Sequence, residues 1–88
     1  MQQIHSLDVI LGVPNAVPSN GKHICTAFIG NSLRVYYVTD GEATEWTWVT
    51  FILINLSLET IVPDGFICMG PVAKQRWDSD NILLFARM

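Results

Sequence analysis

The chain has 88 residues, half of them hydrophobic and 15% charged, with a net charge of −3. One domain is the expectation at this length, and five scattered Lys and Arg exclude the clustered positive charge of a nucleic-acid footprint. The longest apolar run, Phe51-Ile52-Leu53-Ile54 extended by Leu56 and Leu58, falls well short of the roughly 18 residues that mark a membrane-spanning helix.

Area scaling gives a compact monomer of this mass roughly 5,200 Å² of surface, against about 14,400 Å² for the unfolded chain. Charge keeps small proteins apart, so a chain this poor in charge is expected to carry a sticky face. The opening residues, from Met1 to Ser6, lack the basic start and long apolar core of a secretory leader. A cytoplasmic protein is therefore expected, with Cys25 and Cys68 reduced and buried.

Taken in chain order, residues 4–11 read as a first strand or a short helix, and 14–22 as a polar loop around Pro14, Asn15, Pro18 and Gly21. Residues 23–29 follow as a strand. Gly30-Asn31 marks a turn. Asp40-Gly41 predicts a hairpin, because both residues of a two-residue type I′ turn need positive φ, which Gly takes freely and Asp tolerates. That register places Leu33, Val35, Tyr37, Trp46 and Trp48 on one face, with Trp46 and Trp48 in the core. The other face collects Arg34, Tyr36, Val38, Glu45 and Thr47, with an Arg34–Glu45 diagonal pair.

Residues 46–58 alternate cleanly at both ends and are apolar on both faces in the middle. A long strand covered on two sides, or covered by a partner, fits this pattern. A helix is the rival, since Val49, Leu53 and Leu56 share a helical face, but β-branched and aromatic residues favour the strand. Pro63-Asp64-Gly65 predicts a tight reversal. Residues 66–73 form a strand broken or bulged at Gly70-Pro71, placed at an edge because Pro71 cannot donate to a ladder. Asp78-Ser79-Asp80-Asn81 is a turn, and 81–87 a last strand. The predicted fold class is all-β: a single domain over 1–88, five or six antiparallel strands in a meander, closing as a small barrel or two-layer sandwich, with room for one short helix.

Residues able to do chemistry are few. His23 and Cys25, two apart on a strand, are expected on one face. Together with His5 and Cys68 they still lack the four ligands at recognisable spacing of a zinc site. Ser19-Asn20-Gly21-Lys22 resembles part of a phosphate loop, but Ala16 and His23 break the required flanks. The turn at Asp78 lacks the sixth-position Gly of a calcium loop, where Leu83 stands. Asn55-Leu56-Ser57 matches a glycosylation acceptor inside the most apolar stretch, where Asn55 more simply marks a bend. Glu42, Glu45, Asp78 and Asp80 sit in or beside turns, without the shielded pocket that acid–base catalysis requires.

No cofactor, metal or enzymatic activity is therefore expected, and no nucleic-acid or membrane partner. Aromatic residues are the better lead, because Trp and Tyr anchor interfaces. Tyr36, Arg76 and Trp77 are the candidate partner-binding residues. The function expected is a small protein-binding module or inhibitor acting by surface occlusion, of the kind found among viral or mobile-element accessory proteins. Strand addition at a sheet edge is one concrete mode. Self-association that covers 49–56 and a small-ligand-binding barrel are the alternatives.

Overall fold

The computed structural model describes residues 1–73 and 81–88. Among them are seven strands and no helix: β1 (Gln2–Asp8), β2 (Pro14–Pro18), β3 (Gly21–Ile29), β4 (Ser32–Asp40), β5 (Trp46–Asn55), β6 (Ile67–Pro71) and β7 (Ile82–Arg87). They form two antiparallel sheets, of order β1-β4-β3 and β2-β5-β7-β6. The all-β expectation holds, and the first segment is a strand rather than a helix.

The order is not a meander. β1 pairs with β4, β2 with β5, and β5 with β7. Among the described residues, only β3–β4 and β6–β7 join sequence neighbours. The β3–β4 turn is Gly30-Asn31, with Ile29 opposite Ser32. Gly30 has φ +61° and, among the described residues, no non-glycine residue has positive φ, the pattern of a type II′ turn with Gly at its first central position. Asp40-Gly41 does not close a hairpin. Gly41 takes the expected positive φ of 84°, but residues 41–45 carry the chain from one sheet to the other.

Residues 14–18 are a strand, not a loop. β2 is the edge of its sheet, and prolines are tolerated at an edge where no ladder N–H is required. Ser19 N donates to Glu45 O at 2.9 Å in the continuing register. Odd positions of β2 therefore bond to β5, and the nitrogens of Pro14 and Pro18 face away from it.

The core lies between the sheets. Leu33, Val35 and Tyr37 of β4 meet Val49 and Phe51 of β5, Leu84 and Ala86 of β7, Val17 and Val72. These positions alternate along each strand, as one buried face of a pleated sheet demands. Phe51, Leu84 and Val35 have no exposure at all. The opposite face of β5 is also partly covered. Ile54 and Phe85 are buried there, and Gly65 and Phe66 come against Arg87 on that same outer side, the guanidinium 4.6 Å from the Phe66 ring centroid.

The sheets are stitched along one side. Ala73, just past β6, forms a parallel bridge to Ala27; Ala73 N donates to Thr26 O at 2.9 Å and Phe28 N to Ala73 O at 3.0 Å. On the other side β1 and β2 do not pair, so no closed barrel forms. The connection between them is tied to each sheet in turn, Val9 N to Leu33 O at 3.0 Å and Gly12 N to Phe51 O at 2.9 Å. Asn15 fixes its shape, accepting from Ile10 N and donating to the carbonyls of Ile10 and Val13.

Candidate functional site

Trp46 and Trp48 are 53% and 67% exposed. This overturns their expected place in the core. Every second residue of β5 points inward, and the inward set is Val49, Phe51 and Leu53, so the even-numbered indoles point outward. Their neighbours leave them bare. On one side β2 sets Pro18 opposite Trp46 and Ala16 opposite Trp48. On the other, pairing with β7 begins only at Thr50, opposite Arg87. The two indoles therefore project from the end of sheet β2-β5-β7-β6 with small side chains beside them.

Of the candidate partner-binding residues, Tyr36 is half-buried on the outer face of sheet β1-β4-β3, between Ser6 of β1 and Cys25 of β3. It shares that face with Arg34 and Val38, as the alternation predicts. Arg76 and Trp77, with the turn at Asp78, lie outside the described residues. Of the three residues expected to form a site, only Tyr36 lies on the described surface. Arg34 pairs not with Glu45 but with Asp8, directly opposite on β1, Nε to Oδ1 at 2.9 Å.

His23 and Cys25 do not share a face. β3 carries a bulge between them, and the extra residue, Ile24, shifts the alternation by one. His23 falls opposite inward-facing Tyr37, and Cys25 opposite outward-facing Tyr36. Both cysteines are free and exposed, against the expectation of burial. Cys68 stands opposite Phe85, on the outer side of its sheet.

Each histidine bonds a buried threonine instead. His23 Nε2 lies 2.7 Å from Thr26 Oγ1, and His5 Nε2 lies 2.9 Å from Thr39 Oγ1. Desolvation by burial lowers the His23 pKa below the usual 6.5, a backbone hydrogen bond at Cys25 opposing it. Burial raises the Tyr37 pKa above 10.0, and the two rings meet edge-on with centroids 5.7 Å apart. Among the described residues no three His, Cys, Asp or Glu side chains group as metal ligands would.

Between the sheets, a cleft of about 300 Å³ opens at the end near Met88. Val17, Tyr37, Val49, Ile67, Met69 and Ala86 dominate its lining, and Ser19 and Thr47 supply hydroxyls at its edge.

The remaining sequence motifs resolve into turns. Ser19-Asn20 links β2 to β3, with Asn20 Nδ2 donating to Glu42 O at 3.2 Å. Asn55 marks a bend, its Oδ1 accepting from Ser57 N at 2.9 Å. Among the described residues no helix is long and apolar enough to cross a membrane. The chain matches no family model, no curated protein and no solved structure.

Proposed function

We propose that this protein is a non-enzymatic binding module whose partner is another protein, and that it acts by occluding that protein's surface. The observation that carries this reading is the pair of exposed indoles, Trp46 and Trp48, side by side on the outward face of a rigid strand. Tryptophan anchors interfaces because it buries much area with few torsions to freeze. A strand holds both rings in place before the partner arrives, so little entropy is lost on docking. The two sheets, in this reading, are layers of an open sandwich that serves as scaffold.

The test is truncation at the face. Trp48→Ala and Trp46→Ala remove exposed side chains, so folding stability should stay within about 0.5 kcal/mol of wild type by urea denaturation. A partner recovered from the native host on the wild-type protein should bind each variant about 2–4 kcal/mol more weakly. Ile4→Ser, on the other sheet, should bind it normally. Equal binding by all three variants would refute the indole face.

A second reading has its own observation, the apolar cleft. About 300 Å³ is the low end of the range for small-molecule sites, and an apolar cavity of about 150 Å³ already takes benzene. A compact hydrophobic ligand should then appear as added mass in native mass spectrometry of gently purified protein. Met69→Trp, which fills the cleft, should abolish that mass.

A further inference from the structure

We propose that β1 is a self-pairing edge, and that two copies of this chain join β1 to β1 across a two-fold axis. This goes beyond the indole face, which lies on the other sheet, and does not rest on it.

The four sheet edges differ. Among the described residues, β3 and β6 are linked to each other through the Ala27–Ala73 bridge. β2 turns the positions of Pro14, Ala16 and Pro18 outward, so two of its three outward nitrogens carry no hydrogen. Prolines of this kind are a known guard against edge-to-edge pairing. β1 has no such guard. It is seven residues long, Gln-Gln-Ile-His-Ser-Leu-Asp, with no proline or lysine. Its ladder with β4 runs without a register shift.

Hydrogen bonds at both ends of that ladder fix which groups are free. Val9 N donates to Leu33 O, and Gly41 N to Met1 O. Odd positions of β1 therefore bond to β4, and the N–H and C=O groups of Gln2, Ile4, Ser6 and Asp8 point away from it. All four side chains are exposed.

The second copy fits this edge because the edge complements itself. With the axis at His5, Gln2 stands opposite the second copy's Asp8, and Ile4 opposite its Ser6. The even positions then exchange about eight backbone hydrogen bonds. The Gln2 amide donates to the facing carboxylate, and no two carboxylates meet across the seam. Slipping the register by two residues loses an end pair. The product is one continuous sheet of order β3-β4-β1-β1-β4-β3.

Light scattering and sedimentation equilibrium on the whole chain, from about 1 to 500 µM, should show mass rising from 9.9 kDa to twice that. Hydrogen exchange should slow at the Gln2, Ile4, Ser6 and Asp8 amides as the dimer forms. Ile4→Pro removes one outward N–H and no bond to β4, so it should give a monomer with the wild-type circular dichroism spectrum. If that variant unfolds, charge reports instead. Ile4→Lys with Ser6→Lys sets like charges opposite each other across the seam and should weaken the dimer at least tenfold. Ile4→Lys with Ser6→Glu should restore it. A wild-type protein that stays monomeric throughout overturns the proposal, even if it captures a foreign strand. So does a dimer indifferent to these charges, or one lost only with Trp48→Ala.

Discussion

Phe51 has no solvent exposure and sits where both sheets contribute to the core. Phe51→Ala should cost about 3–5 kcal/mol, the lost transfer energy plus the cavity left behind. Against a total of about 5–15 kcal/mol for a small domain, that is enough to move the urea midpoint far down or remove it. His23 makes a pH-dependent contribution of known sign. Burial lowers its pKa in the folded state, so below the ordinary value of 6.5 the unfolded chain takes up the proton first. Stability should therefore fall as pH drops through about 6.5 and level off below the folded-state value. Comparing urea midpoints at several pH values should show the slope in wild type and a flatter one in His23→Gln. At this scale the sequence was only partly readable. Leu33, Val35 and Tyr37 show their shared face by alternation alone. Cys25 does not show its exposure, because a single bulged residue, Ile24, reverses every side chain after it and leaves no mark on composition.

The β3–β4 hairpin depends on Gly30. A Cβ there would meet nothing within 4 Å, yet φ is +61°, so Gly30→Ala is a pure test of backbone strain. It should lower stability by about 1–2 kcal/mol, read from the thermal or urea midpoint, without altering the fold by circular dichroism. Two glycine turn signals looked alike in the sequence, and Asp40-Gly41 looked the stronger. Gly30-Asn31 closes the hairpin, with Phe28 and buried Thr26 of β3 set opposite Leu33 and Val35 of β4 on the core face. Asp40-Gly41 changes sheets, since β4 already has partners on both edges. β2 was hidden for a different reason. Prolines usually argue against a strand, and only its position at an edge makes Pro14 and Pro18 compatible with one. β6 was legible, because Gly70-Pro71 forecast both an edge and an irregular ladder, and a register shift lies between Cys68 and Gly70.

The whole molecule leaves several large apolar side chains open. Ile4, Trp46, Trp48, Leu58, Ile61 and Ile67 each stand more than half open to solvent. The fold distributes them over distinct places, among them the indole face and the β1 edge. Composition, turn residues and period-two alternation by themselves determined the class, antiparallel β-sheet. They could do so because strand propensity and turn chemistry are local properties of the chain. Tertiary structure alone decided which strands pair, and hence which side of residues 46–54 is buried. Both sides of that segment are apolar, so burying either would satisfy the hydrophobic effect locally. The choice fell to the partners β5 acquires, β2 and β7 in place of β4, and that choice turned Trp46 and Trp48 outward.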